Sequence, residues 1–530
     1  MISLSLSLPE EMRPILRLFP FLLLLLHHHQ RWYEYSTLLA EAVTLPPLPV
    51  RPIPSSSQLS WQLGELALFL HFGMNTFTNS EWGTGHADPS LFNPEALDAK
   101  QWVRVAADAG FSKVILTAKH HDGFCLWPSA FTNYSVKSSP WRDGKGDVVA
   151  ELAAAAREAG IGLGLYLSPW DRHEPVYGRT TEYNQFYLGQ MTELLTGYGE
   201  IKEVWLDGAK GKGEKNMEYL FEDWFSVIHQ LQPSAVIFSD AGPDVRWVGD
   251  EAGVSATTCW SPFNTSLASI GHTDSRYSSG GDPHGHDWVP PECDVSIRPG
   301  WFWHHSEHPK SAQKLLDIFY KSAGRNCLLL LNVPPNSSGL ISEEDIKVLN
   351  EFAKLRKTIF SHNLAKNAII TASSTRGGKG NRIYNPYHVL EETVYSYWAP
   401  EPGQSYSAIY LNFQETVSFN VLQVQEPIQM GQRLINFHLD ILHDEQWRRI
   451  ASGTTVGYRR LLFFPIVKTE KLRFVIDKSK GDPLISYLGL HLDHVSVFPH
   501  DERNSSAKLN SSCIQLNVHN QSTYLSKAIM

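Results

Sequence analysis

The chain has 530 residues, too many for one ordinary domain, and its length predicts two or three. A formal charge of −9, with no long basic run, argues against nucleic acid as the main partner. The composition includes 16 Trp and 20 Tyr, enough aromatic surface for sugar stacking and equally for large cores. Five cysteines (Cys125, Cys259, Cys293, Cys327, Cys513) form no CxxC pair and no zinc spacing. A disulfide scaffold is therefore not expected, and one bridge at most stays open.

Arg13 and Arg17 precede the apolar residues Leu18 to Phe21 and the run Leu22 to Leu26. A basic region followed by an apolar run too short to span a membrane predicts a secretion leader and no membrane anchor. Met12 is an alternative start, and Ala40-Glu41-Ala42 resembles a cleavage site. Leu45 to Ser57 is rich in Pro and Ser, so residues 1–56 read as leader and linker. Asn-x-Ser/Thr acceptors at Asn133, Asn264, Asn336, Asn504, Asn510 and Asn520 are compatible with an extracellular glycoprotein.

From residue 57 to 365, apolar runs alternate with helical segments. Strands are predicted at Ala67 to His71, Lys113 to Ala118, Ile161 to Leu167, Val204 to Leu206 and Val236 to Ser239. Weaker signals follow at Trp247 to Gly249 and Val295 to Arg298, and a strong one at Cys327 to Asn332. Helices are predicted over Leu97 to Ala109, Val148 to Ala159, Tyr183 to Tyr198, Asn216 to Leu231, Ala312 to Ala323 and Glu343 to Phe360. About eight β-then-α units favour a (β/α)8-like barrel. No GxGxxG follows the first strand, which counts against a dinucleotide fold. From residue 366 to 498 helical periodicity disappears. Short runs such as Ala408 to Leu411, Val421 to Val424 and Arg473 to Ile476 predict an antiparallel β-sandwich. Residues 499–530 are polar, rich in Ser and Asn, and expected to be disordered.

The barrel reading gives the polar residues around the strands a common place. In such a fold the C-terminal strand ends carry the chemistry. Polar and aromatic residues follow the strands: His71, Asn75, Glu81 and Trp82; then Lys119, His120, His121 and Asp122. After them come Trp170, Asp171 and Arg172, with Tyr166 inside its strand; then Asp207, Asp240, Trp247, Asp250, Glu251, Glu292, Asp294, Arg298, Trp301 and Trp303. A metal at His120-His121 is disfavoured, because adjacent strand residues face opposite ways unless the strand breaks. Acyl transfer lacks a GxSxG. Paired carboxylates with aromatic walls and no cofactor motif fit glycoside hydrolysis, which needs one carboxylate at the anomeric carbon and one acid at the leaving oxygen.

Six stretches carry a closer likeness: HFGMNTFTNSEWG (71–83), ILTAKHHDGFCLWPS (115–129), YLSPWDR (166–172), EVWLDGAKG (203–211), RWVGDEAG (246–253) and DVSIRPGWFWH (294–304). They resemble glycoside hydrolase family 29, the α-L-fucosidases, most of all the branch of plant secreted enzymes that release 1,3- or 1,4-linked fucose from Lewis-type glycans. The resemblance implies a retaining exo-α-L-fucosidase without cofactor or metal, acting on fucosylated oligosaccharides or glycoprotein glycans. It implies Asp207 as nucleophile and Glu251 as acid/base, with Glu292 in reserve. His71, Glu81, Trp82, His120, His121 and Tyr166 match fucose-binding positions; Trp170 and Arg298 join them as mouth residues. Asp250 stands where relatives often carry Asn, so like charge is expected to raise the Glu251 pKa. The implied location is extracellular, in the apoplast or cell wall. The alternative is an inactive, lectin-like fucose-binding barrel, which the intact carboxylate pair argues against.

Overall fold

Eight apolar runs pair in parallel and close on themselves. They are β1 (Leu66–Leu70), β2 (Lys113–Lys119), β3 (Gly162–Leu167), β4 (Glu203–Trp205), β5 (Val236–Ser239), β6 (Val245–Trp247), β7 (Pro291–Ser296) and β8 (Leu328–Asn332). Each neighbours the next and β8 returns to β1. This computed structural model describes residues 44–496. The cleavage-like site, the leader before residue 44, the tail from 499, Cys513, and the acceptors Asn504, Asn510 and Asn520 lie outside the described residues.

Alternation along the strands builds two cores. In β1, Leu66, Leu68 and Leu70 point outward into the large cluster beneath the helices, while Ala67 and Phe69 point into the barrel. The outer ring includes α1 (Ala99–Asp108), α2 (Val148–Ala159), α3 (Thr180–Gly197), α4 (Phe221–Leu231), α5 (Ala312–Lys321) and α6 (Glu343–Phe360). Asp98 caps α1 and Asp147 caps α2, each accepting from a backbone N–H of its helix's first turn. No crossover helix stands between β5 and β6, which are joined by residues 240–244. That short connection explains why the sequence rhythm weakens there.

The barrel interior is layered. At the bottom, the side chains of Lys113 and Glu203 pair at 2.8 Å, and Trp61 Nε1 donates to Glu203 at 2.7 Å. Above lie Phe69, Tyr166, Trp205 and Phe238, with the Trp205 and Phe238 rings stacked 4.1 Å apart at 8°. Glu292, expected at the mouth, is instead a fully buried interior residue near the start of β7. Its Oε1 accepts from Trp205 Nε1 at 2.8 Å. The strand runs Pro291–Ser296, not Val295 to Arg298, so Glu292 and Asp294 share the inward face, Asp294 one layer higher.

Cys293 and Cys327 form a disulfide that ties β7 to the chain just before β8. Cys125 and Cys259 are free and buried.

The antiparallel part holds β9 (Ala368–Ala372), β10 (Ser407–Gln425), β11 (Leu434–His443), β12 (Gln446–Thr454), β13 (Arg460–Ser479) and β14 (Tyr487–His491). The order is β9-β10-β13-β11-β12, with β14 on the far part of β10. The runs Ala408 to Leu411 and Val421 to Val424 belong to one strand of 19 residues. Register shifts at Asn412/Val417 and Phe419/Val421 interrupt its pairing with β13, which is how one strand reads as two in sequence. The sheet holds the barrel through residues that precede β1 and β8. Arg459 pairs with Glu65 at 2.6 Å, and Tyr458 N donates to Asn326 Oδ1 at 2.9 Å.

Glu292 gives a stability test. Burial, then the neighbouring Glu203, holds its pKa well above the ordinary carboxyl value, with Lys113 and the Trp205 N–H opposing. A raised folded-state pKa means that stability falls as pH rises from the unfolded carboxyl range toward the folded value. Glu292→Gln keeps an acceptor for Trp205 and does not titrate. Denaturant unfolding should therefore show Gln gaining on Glu between pH 5 and pH 8. Glu292→Ala should lose about 1–3 kcal/mol at either pH, the cost of orphaning a buried indole N–H. A Gln–Glu difference that stays flat with pH would contradict the assignment.

Candidate active site

Asp207 stands two residues past the end of β4, and its carboxylate is fixed on both oxygens. The Ala209 N–H donates to Oδ1 at 2.7 Å and the Tyr166 hydroxyl donates to Oδ2 at 3.0 Å. Gly208 is required by a close approach: a Cβ there would stand 2.4 Å from Asp240 Oδ1. Asp240 in turn accepts from the Gly271 N–H at 2.9 Å and the Thr273 hydroxyl at 3.1 Å, tying the 271–273 segment beside the nucleophile candidate. Burial raises the Asp207 pKa, and the Ala209 and Tyr166 hydrogen bonds oppose that rise.

A cavity of about 440 Å³ opens above Asp207. Trp205, Phe238 and Phe69 form apolar wall, with Trp301, Trp247 and Trp82 completing the lining. Trp82 is the most exposed of these, at 48%. Every lining residue comes from the barrel and its loops.

Three histidines just past the ends of β1 and β2 face this space, and their partners fix their tautomers. Asn332 Oδ1 lies 2.9 Å from His71 Nδ1, so that nitrogen carries the proton and Nε2 is an acceptor. Ser168 Oγ donates to the Trp170 carbonyl at 2.5 Å and lies 2.7 Å from His121 Nδ1. His121 is thus also protonated at Nδ1, with its Nε2 lone pair toward the pocket. His120 Nδ1 instead accepts from Asn75 Nδ2 at 3.3 Å, leaving Nε2–H as a donor. Burial lowers all three pKa values, to about 3 for His71 and His121. The His121 Nε2–Asp207 Oδ2 approach of 3.5 Å is therefore not an ion pair. Two acceptors and one donor suit a ring of sugar hydroxyls. Both His120 and His121 line the cavity because β2 ends at Lys119, so strand alternation no longer applies.

Glu251 lies at the exposed rim of the cavity, on the loop after β6. The pocket walls still strip enough water to raise its pKa. A Trp301 hydrogen bond opposes the rise, and Asp207, Glu81 and then Asp250 add like charge. Asp250 acts in the expected direction but is the smallest of these contributors. Asp294 is a third carboxyl in the cluster. It accepts from Trp247 Nε1 at 2.7 Å, and burial followed by the proximity of Glu251 raises its pKa strongly.

Several expected positions take a different place. Arg298 does not line the cavity: its Nε donates to Asp345 Oδ2 at 3.0 Å and its Nη1 to the Glu307 carbonyl, which locks the loop after β7. Trp170 is buried behind the wall, its ring 4.8 Å from His121 and 5.3 Å from Trp82. Glu292 is below the site, as described. Glu81 lines the cavity, and it also accepts from the Trp301 N–H at 2.9 Å and lies 2.6 Å from His304 Nε2, so it sets the Trp301 loop. Asp294, Trp247, Trp301 and Asp240 belong to the wall, where sequence marks them only as general mouth residues; Lys210 lies in the 203–211 motif without a role legible there, and Thr273 comes from a loop that carries no sequence signal. Among the described residues no group of three or more His, Cys, Asp or Glu is arranged to hold a metal ion. No described helix is long and apolar enough to cross a membrane.

Comparison with known proteins agrees with this geometry. The family model described as alpha-L-fucosidase matches residues 66–358. The chain is 66% identical to alpha-L-fucosidase 1 of Arabidopsis thaliana over 453 residues, 85% of this chain and 89% of that one. The crystal structure of SpGH29 superposes with a TM-score of 0.81 at 40% identity, covering 84% of this chain and 100% of the other. A Ruminococcus gnavus GH29 fucosidase solved in complex with fucose superposes with a TM-score of 0.79 at 33% identity, covering 85% and 96%. Asp207 and its neighbours thus stand in the pocket of a glycoside hydrolase, and the chain belongs to the α-L-fucosidase family, glycoside hydrolase family 29.

Proposed function

We propose that the chain removes terminal α-L-fucose by a retaining double displacement, with Asp207 as nucleophile and Glu251 as acid/base. The observation that carries this reading is the carboxylate pair in one cavity, close enough for Asp207 to raise the Glu251 pKa. Asp207 Oδ2 attacks the anomeric carbon while Glu251 protonates the departing oxygen, giving a fucosyl ester on Asp207. Glu251, now a carboxylate, then takes a proton from water as that water attacks the same carbon. Tyr166 and the Ala209 N–H hold the attacking carboxylate in place. His71, His120 and His121 take the ring hydroxyls, and the aromatic wall accommodates the deoxy methyl group of fucose.

The preferred linkage is proposed as 1,3 or 1,4 in Lewis-type glycans. Its support is the likeness of the six motifs to that branch. The location is proposed as extracellular, in the apoplast or cell wall. The Cys293–Cys327 disulfide supports an oxidising compartment. Asn133 is an exposed acceptor for N-glycosylation. The Asn264 and Asn336 carboxamides are already engaged in local turns, so Asn133 is the preferred site.

Glu251→Ala should lower kcat by about 10²–10⁴-fold on a substrate with a poor leaving group. It should lose less on an activated aryl fucoside, with azide restoring turnover as α-fucosyl azide, the retained configuration. The acid must be protonated and its pKa is raised, so the alkaline limb of the wild-type profile lies above the ordinary carboxyl range. Asp207 must be ionised and its pKa is also raised, so the acid limb moves up as well. A pH–rate profile should show both limbs displaced upward, with the alkaline limb missing in Glu251→Ala. Azide rescue at Asp294 and not at Glu251 would reassign the acid.

Linkage is read separately. Chromatography of products should show release from Lewis-type 1,3- and 1,4-fucosides well before 2-linked or 6-linked core fucosides. Equal rates on all four would remove the branch assignment and leave the mechanism untouched.

A further inference from the structure

The solvent face of the C-terminal sheet carries a second built cavity, far in sequence from the catalytic lining. It measures about 490 Å³ and is lined by Tyr406, His438, Asp440, Trp447, Arg449 and Arg473, among others. An adjoining hollow of about 290 Å³, which includes Lys478, shares Ser405, Ile476 and Asp477 with it, so the two form one elongated groove.

The groove is organised by sheet register. Tyr410, Arg473, Asp440 and Arg449 are successive partners across β10, β13, β11 and β12. Opposite faces alternate, so Leu439, Ile441, Leu472 and Phe474 fill the core behind them. A polar ladder on a solvent face is ordinary. Two features here are not. First, large aromatics stand exposed along it: Trp447 is 37% and Tyr406 42% accessible. The Arg473 guanidinium lies 4.6 Å from the centre of the Trp447 ring and braces it, and the Tyr406 and Tyr410 hydroxyls are 3.1 Å apart. Braced aromatic platforms beside fixed polar groups are the composition of a sugar site.

Second, two of its cations are loosely held. Asp440 is held by Arg473 at 2.8 Å and Asp482 by Arg376, while Asp477 accepts a hydrogen bond from His438 Nδ1 at 2.8 Å. Arg449 reaches Asp440 only at 3.9 Å, and its side chain is 58% exposed. Lys478 is exposed and has no side-chain partner among the described residues. The groove therefore offers stacking surface together with two loosely held cations, Arg449 in one hollow and Lys478 in the other. A neutral glycan would meet these two groups through hydroxyl hydrogen bonds alone. A chain of sugars bearing carboxylates would use both.

We propose that this groove is a second carbohydrate site, which binds an extended uronate-bearing oligosaccharide independently of the catalytic pocket. The full chain should be titrated calorimetrically with fragments of α-1,4-linked polygalacturonate, and with the same fragments fully methyl-esterified. The acid form should bind, more weakly as salt rises, and the esterified form should bind at least about tenfold less tightly. Excess free fucose should not compete. Trp447→Ala should weaken binding roughly tenfold through loss of the stacking platform. The double variant Arg449→Ala/Lys478→Ala should remove the salt dependence. Hydrolysis of an aryl α-L-fucoside should be unchanged in both. Absence of binding, equal binding of acid and ester, competition by fucose, or indifference to both variants would each overturn the proposal.

Discussion

Burial of Trp205 in the centre of the barrel leaves its indole N–H with one acceptor, Glu292 Oε1 at 2.8 Å. An indole donor left unpaired in such a place costs about as much as a sizeable share of a domain's net stability. The bond therefore fixes the ring, and the ring fixes what stands around it. Trp205 stacks on Phe238, and Tyr166 lies against it at 5.3 Å and 25°. Tyr166 then donates to Asp207 Oδ2. A path of packed and bonded groups thus runs from the Lys113–Glu203 pair at the barrel floor to the carboxylate at the mouth. Asp207 itself is only two residues past Trp205, so the fixed ring also anchors the chain that carries the carboxylate.

The mouth gathers carboxyls while excluding water from them. Asp207, Glu251, Asp294 and Asp240 all have raised pKa values, chiefly from loss of solvent; for Glu251, Asp294 and Asp240 the neighbouring carboxylates add to the rise. Four anions in such a space would repel strongly, so shared protons are the cheaper state. Asp207 is the member with a backbone N–H and a phenol both directed at its charge, which suits it to be ionised. Glu251, at the rim among like charges, suits the role of proton holder. The histidines add no positive charge because burial keeps them neutral; their value is directional hydrogen bonding.

Much of this was legible in the chain. The run Val204 to Leu206 followed by Asp207-Gly208 marks a strand end and a turn, and the barrel places it at the mouth. His71, His120 and Tyr166 could be read the same way. Glu292 could not. It alternates with Cys293 and Asp294 just after two prolines, a pattern that reads as loop and hides an inward-facing strand. Arg298 looked like a substrate ligand because nothing in sequence reveals Asp345 as its partner, 47 residues away. The Cys293–Cys327 bridge has no motif either; only β7–β8 pairing brings the two together. The long strands β10 and β13 read as short ones because register shifts break their alternation.

The central claim is that Asp207 becomes covalently attached to the sugar. A 2-deoxy-2-fluoro-fucosyl fluoride slows breakdown of such an intermediate, and protease digestion with peptide mass mapping then locates the label. The account predicts one fluorofucosyl group, on Asp207, with matching loss of activity and no label in Asp207→Ala. A label on Glu251 or Asp294, or continued turnover of natural substrate by a fully labelled chain, would contradict it.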